Sequence, residues 1–157
     1  MYELLKSYLD EDKIKELEKE MSLETINKGL ILNSLRCKEN NLEEFNLTKD
    51  DCDSYLYLYK NDESKPGKHI LHEAGAYYIL DPSAVIIREN LVATDREIVI
   101  DLCAAPGGKT ISYALKNPRS LIIANDFSLK RAEELSKNVE RMGLSNVIVT
   151  SYEPKYF

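Results

Sequence analysis

The chain has 157 residues, enough for one domain with a real core or for a small domain joined to part of a larger one. Hydrophobic residues make up 43% and charged residues 31%, the balance of an ordinary globular protein, and no apolar run is long enough to span a membrane. The net charge of −6 counts against a free-standing nucleic-acid binder, because phosphate contacts supply most non-specific affinity; a locally basic surface remains compatible with it.

Met1-Tyr-Glu-Leu-Leu-Lys6 lacks the features of a signal peptide. Three cysteines, Cys37, Cys52 and Cys103, are odd in number and without Cys-x-x-Cys spacing. They predict reduced thiols in the cytoplasm and no disulfide framework. His69 and His72 have no cysteine nearby, so no metal site is expected.

From Tyr2 to Ser22, Leu5, Tyr8, Leu9, Ile14 and Leu17 recur at helical spacing between Lys and Glu, predicting one or two helices with a solvated face. Gly29 to Leu35 reads as a strand and Leu42 to Phe45 as a short helix. Ser54-Tyr-Leu-Tyr-Leu-Tyr59 alternates strictly. Tyr55, Tyr57 and Tyr59 would share one face, which could stack bases or form a half-buried sheet surface. Asn61-Asp-Glu-Ser-Lys-Pro-Gly67 is rich in turn formers and is placed as the boundary between two units, 1–67 and 68–157. Beyond it, Asp81-Pro82 marks a helix start, with Asp81 as N-cap and Pro82 at the first helical position, and the helix runs to about Leu91. Tyr77 and Tyr78 precede it and are candidates to lie near a ligand cavity.

The most informative stretch is Asp101-Leu-Cys-Ala-Ala-Pro-Gly-Gly-Lys-Thr110. Glu97-Ile98-Val99-Ile100 before it reads as a buried strand and Ile111 to Lys116 after it as a helix. Small residues between strand and helix let the backbone approach a ligand and present the free amides of the helix start. Such a turn is the first crossover of a doubly wound α/β sheet, where these folds bind nucleotides. A phosphate-wrapping P-loop would need glycine where Cys103 stands, and the Gly-x-Gly-x-x-Gly dinucleotide fingerprint also fails. What fits is an acid after the next strand. Leu121 to Ala124 is apolar, and Asp126 follows about 20 residues past the loop, the usual place for a carboxylate that takes ribose hydroxyls. An adenosine ribose without a phosphate cradle points to S-adenosylmethionine. Ser128 caps the next helix, Leu129 to about Met142, with Ala132, Leu135 and Val139 inward and Gly143 as its C-terminal stop. Asn146 to Thr150 is the third strand, and Glu153 beyond its carboxyl end could approach the adenine or stand in solvent.

The loop resembles the cofactor loop of the Sun-type RNA cytosine-C5 methyltransferases. Lys68-His-Ile-Leu-His-Glu-Ala-Gly-Ala-Tyr-Tyr-Ile-Leu-Asp-Pro-Ser-Ala84 is similar to the segment preceding that loop, especially in bacterial ribosomal RNA members, and Lys28 to Arg36 more loosely resembles an N-terminal strand of the family. The resemblance implies an incomplete Rossmann-like S-adenosylmethionine-dependent methyltransferase domain preceded by a small α+β domain. Residues 1–67 would assist binding of RNA, with ribosomal RNA the expected partner, and 68–157 would form the first half of the cofactor domain. By the same resemblance Cys103, Ala104, Ala105, Pro106, Gly107, Gly108 and Lys109 line the cofactor, joined by Asp126 and Glu153. Cys103 would be a small packing residue whose backbone meets the cofactor, and Lys109 would face the cofactor carboxylate or stand in solvent. The family's Pro-Cys and Thr-Cys motifs, which supply the cysteine that attacks cytosine C6, do not occur here; they are expected downstream of Phe157. The chain alone is therefore expected to bind cofactor without turnover, and its first parallel strand to leave an open edge suited to self-association. Other readings are a methyltransferase on another substrate and a non-catalytic RNA- or partner-binding module.

Overall fold

The computed structural model describes residues 7–22, 28–50, 55–59, 65–91 and 97–157. A first helix, α1 (Glu11–Ser22), carries acids in its first turn and a lysine in its last, as the helix dipole favours, and buries Ile14. Of the helical reading from Tyr2, residues 1–6 lie outside the described residues.

Four short strands build an antiparallel sheet: β1 (Lys28–Leu32), β2 (Thr48–Lys49), β3 (Leu56–Tyr59) and β4 (Tyr77–Leu80), in the order β2-β3-β1-β4. β1 is central, with Leu30 opposite Tyr57 on one side and Ile79 on the other. Alternation then sorts the side chains. Leu30, Leu32, Tyr57, Tyr59 and Tyr77 pack with Leu42 and Phe45 of the 3-10 helix Glu39–Phe45. Ile31, Leu56, Tyr78 and Leu80 pack the opposite way, against Val85, Ile111 and Met142. Both faces are thus covered, and of the two readings of the tyrosine face the sheet surface holds: Tyr57 and Tyr59 are core, and Tyr55 alone of the three is exposed. The joint at 61–67, of which 61–64 lie outside the described residues, falls inside this layer. β4 follows it in sequence yet completes the first sheet.

A short helix, α2 (Ile70–Glu73), precedes β4; after it Asp81 accepts from the Ser83 amide at 2.8 Å, starting a 3-10 turn (Pro82–Ala84) that continues directly into α3 (Val85–Asn90). Hydrogen bonding by the Ser83 side chain, joined by its amide, holds the Asp81 carboxyl below its ordinary range.

The second layer is a parallel three-stranded sheet, β5 (Ile98–Asp101), β6 (Leu121–Asn125) and β7 (Val147–Thr150), in that order. α4 (Gly108–Lys116) and α5 (Leu129–Met142) make the crossovers. Ile122, Ala124, Val147 and Val149 pack under them against Tyr113, Ala114, Leu135 and Val139. The other face is open. Ile98 is 65% exposed, Ile100 45% and Ile148 51%. The expected buried strand at 97–100 is therefore half covered, because β5 pairs with β6 alone among the described strands and nothing described packs on its outer face.

The layers meet at the C-terminal end of α5. Asn33, fully buried, donates from Nδ2 to the Gly75 carbonyl (3.0 Å) and the Met142 carbonyl (2.9 Å). Arg36 donates to the carbonyls of Ala74 (3.1 Å) and Arg141 (2.9 Å), and Arg141 in turn donates to that of His72 (2.7 Å). Carbonyls at a helix end lack intrahelical partners, so these bonds satisfy what Gly143, at φ 67°, leaves open.

Candidate functional site

Residues 102–107 leave β5 at the carboxyl end of the sheet and enter α4. Asp101, the last residue of β5, sets the start. Its carboxylate accepts from Thr110 Oγ1 at 2.6 Å and from the Cys103 amide at 3.3 Å, pinning loop and helix to the strand end. Gly107 stands at φ 114°, and a Cβ there would come within 2.9 Å of Leu135 and 3.0 Å of Ile111. The turn thus needs glycine both for its backbone and for its fit against α5.

The loop carbonyls are held from outside. Arg131 donates to that of Ala105 at 2.6 Å. Asn138 and the Tyr78 hydroxyl donate to that of Pro106 at 2.9 and 3.1 Å. Arg131 and Asn138 are seven residues apart, two turns of α5, so they share a face. Neither residue stands out in the sequence; the signal they carry is that spacing, which only the approach of the loop makes meaningful. Burial pushes the Tyr78 hydroxyl above its ordinary value, keeping it a neutral donor at physiological pH.

Asp126 is 3% exposed. Its Oδ1 accepts from the Ser128 amide at 3.1 Å and its Oδ2 from the Ala105 amide at 3.3 Å, with Arg131 Nη1 at 3.4 Å. The acid therefore bridges the loop, the start of α5 and a guanidinium. Ser128 takes the N-cap position, but its hydroxyl makes no capping bond.

Of the remaining residues expected at the site, Ala104 and Ala105 are buried, Gly108 half-buried, and Pro106 and Lys109 exposed. Cys103 is exposed, against the expectation of a packing residue, because the turn carries its side chain away from the sheet. Glu153 is exposed and ion-paired with Lys155. Tyr78 borders the loop, whereas Tyr77 does not: it is fully buried, its hydroxyl donates to the Pro66 carbonyl at 2.7 Å, and burial, its largest influence, pushes it up to about 12.

A cavity of about 250 Å³ lies between β4 and the loop, lined by Tyr78, Leu80, Ala84, Cys103, Pro106 and Lys109 among others. On the other side, at the carboxyl ends of the strands, Leu102, Phe127 and Tyr152 each follow a strand end and are 41%, 66% and 60% exposed. Exposed aromatic and aliphatic groups thus follow the strand ends beside a buried acid, at the place where open α/β sheets bind ligands. Phe127 was not anticipated from the sequence; its signal is its place directly after the strand-end acid. Among the described residues no group of His, Cys, Asp and Glu could hold a metal ion.

This architecture is a partial Rossmann-like domain behind a small α+β layer. Residues 89–157 match the family described as 16S rRNA methyltransferase RsmB/F. The chain is 35% identical over 112 residues to ribosomal RNA small subunit methyltransferase F of Aeromonas salmonicida (strain A449), covering 68% of this chain and 24% of that one. The protein of the same name from Shewanella amazonensis is 32% identical over 109 residues, covering 68% and 23%. Among solved structures, NSun6 from Pyrococcus horikoshii with SFG superposes with a TM-score of 0.81 at 15% identity, over 96% of this chain and 64% of that one. A methyltransferase homolog from the same organism superposes at 0.76 and 24% identity, over 91% and 48%. The match to the RsmB/F family model thus falls on the second layer, and the chain spans about a quarter of the length of the curated relatives it matches.

Proposed function

We propose that this chain supplies the cofactor-binding part of an S-adenosylmethionine-dependent RNA methyltransferase that modifies cytosine C5 in ribosomal RNA. The observation that carries the cofactor reading is the arrangement at the carboxyl ends of β5, β6 and β7, where buried Asp126 is bonded to the Ala105 amide of the small-residue loop and exposed Phe127 and Tyr152 follow the strand ends. The residues fit the group. Asp126 is a fixed acceptor for the vicinal ribose hydroxyls, the aromatic faces suit an adenine ring, and α4, starting at Gly108, presents the amides of a first helical turn. When bound, the cofactor supplies an electrophilic methyl group. The chain's own residues hold it in place and, across the loop, offer the cavity beside Tyr78, Cys103 and Lys109 to the other reactant.

The substrate follows from the names of the relatives together with the chemistry expected of the family: ribosomal RNA, reached in the cytoplasm, with the first layer assisting RNA binding. Cytosine C5 methylation needs a thiolate at C6. Cys37 is buried and its thiol is pushed up by that burial, Cys103 sits in the cofactor loop, and Cys52 lies outside the described residues. None carries the Pro-Cys or Thr-Cys motif, so the nucleophile must come from outside these 157 residues. The edge that β5 leaves unpaired among the described strands makes self-association of isolated chains an expected by-product.

The test is transfer of a labelled methyl group from S-adenosylmethionine to small ribosomal subunits. The expected outcome is no incorporation by the 157-residue chain and incorporation into cytosine by a protein that carries the same chain with a downstream Thr-Cys motif. Incorporation by the 157-residue chain that disappears in Cys103→Ser would place the nucleophile here instead. Tight ATP binding dependent on Lys109 would overturn the cofactor reading.

A further inference from the structure

Asn125 closes the central strand β6, one residue before Asp126, and is fully buried. Its backbone carbonyl accepts from the Ala104 amide at 2.8 Å. Its side chain reaches both neighbouring strand ends. Oδ1 accepts from the Tyr152 amide at 2.8 Å and from Thr150 Oγ1 at 3.0 Å. Nδ2 donates to the Tyr152 carbonyl at 2.9 Å and to the Leu102 carbonyl at 3.4 Å. The carboxamide thus grips both backbone groups of Tyr152 and turns its second amide hydrogen to the residue that opens the cofactor loop.

Among side chains of this size, only an amide offers an acceptor and two donors on one planar group. A carboxylate would keep the bond from the Tyr152 amide but would face two carbonyls without a proton to give. An aliphatic side chain would leave four polar groups without their partner. The bonds also fix which side-chain atom is oxygen, because the Tyr152 amide requires an acceptor and its carbonyl a donor.

Resting on the cofactor reading above, we infer that Asn125 is a positioning residue that sets the spacing of the two walls of the adenosine site. One wall is Leu102 with the loop behind it; the other is Tyr152 leading to Glu153. Both walls are loops, which carry few bonds of their own and take their position from what holds them. Asp126 and Phe127 follow Asn125 directly, so floor and walls share one anchor. The side chain stays buried and reaches no ligand itself. It acts through the groups it holds.

The test uses the full chain with Asn125→Asp and Asn125→Ala. The first readout is amide hydrogen exchange without ligand. Protection at residues 102–105 and 151–153 should fall together in both variants, while the β6 and β7 interior at Ile123 and Val149 stays protected. In Asn125→Asp the Tyr152 amide, whose acceptor survives, should keep more protection than in Asn125→Ala. A residue with a merely structural role would lower protection throughout the second sheet in step with the melting temperature. The second readout is calorimetric titration with S-adenosylhomocysteine, with affinity expected to fall about tenfold in Asn125→Asp, the size associated with losing buried donors. Unchanged protection at either wall, or loss spread evenly over the sheet, would overturn the inference. Loss of protection at both walls with unchanged affinity would overturn the link between their spacing and the ligand. A wild-type chain that binds no S-adenosylhomocysteine would remove the cofactor reading, while the exchange pattern would still decide whether Asn125 ties the walls together.

Discussion

The two sheets use the same kind of residue to different effect. In the antiparallel sheet both faces are covered, one by the 3-10 helix around Phe45 and the other by α4 and α5 through Ile111 and Met142. In the parallel sheet one face is packed and the other shows Ile98, Ile100 and Ile148. A run of β-branched residues therefore states that a strand will form, and its neighbours decide how much of it is buried. The comparison also separates two jobs. The covered sheet is a rigid base joined to the end of α5, whereas the parallel sheet offers strand ends, loops and an open face.

The joint between the layers is where substitution should cost most. Gly75 stands at φ 70°, and a Cβ there would lie 2.0 Å from the Arg141 carbonyl oxygen at the clasped end of α5. Gly75→Ala combines left-handed strain with a backbone clash, and a loss on the order of 3 kcal/mol is expected in urea unfolding. A loss below about 1 kcal/mol would show that the layers are not clasped as described.

The contrast between the faces of the parallel sheet gives the next effect. Ile122 is 1% exposed and Ile98 65%. Ile122→Val should cost about 0.5–1.5 kcal/mol by the same measurement, and Ile98→Val within about 0.5 kcal/mol of nothing. Equal costs would mean that the outer face is covered, as by a second copy of the chain. Sedimentation of the wild type would then show a dimer.

A smaller effect concerns pH. Burial, reinforced by Arg141 and opposed by Glu73, holds the His72 imidazole below its ordinary value. The unfolded chain then binds a proton that the folded one resists. Its contribution to stability is present above about pH 6.5 and is lost as pH falls below that value toward the lower folded one. His72→Gln should flatten the decline in melting temperature over that window. An identical decline in both proteins would remove His72 as its source.

Local signals carried much of this organisation. The small-residue loop, Asp81 before Pro82, the acid after β6 and the glycine ending α5 were legible because each depends on a few adjacent residues and on backbone rules. What was not legible depends on distant partners. Tyr77–Leu80 joins the first sheet by pairing with β1, across the joint at 61–67 that read as a boundary. Tyr57 and Tyr59 turn inward because Phe45 and Leu42 lie there. Arg131, Asn138 and Asn125 look like ordinary polar residues until the loop carbonyls and strand ends come within reach of their donors. Cys103 shows the same limit from the other side: the motif named its loop but not the direction of its side chain.

The central claim is that the site at the ends of the parallel strands holds an adenosine through Asp126. Because this acid also receives the Ser128 and Ala105 amides, Asp126→Ala would disturb the fold along with the site. Asp126→Asn keeps an oxygen acceptor and removes the charge. Calorimetric titration of S-adenosylhomocysteine into the wild type and Asp126→Asn, with melting temperatures measured alongside, is the direct measurement. The account predicts saturable binding by the wild type and a loss of about tenfold in the variant, as expected for charge-assisted bonds to hydroxyls, with a lowered melting temperature because the carboxamide can accept from only one of the two amides. Equal affinity in the two proteins would contradict it.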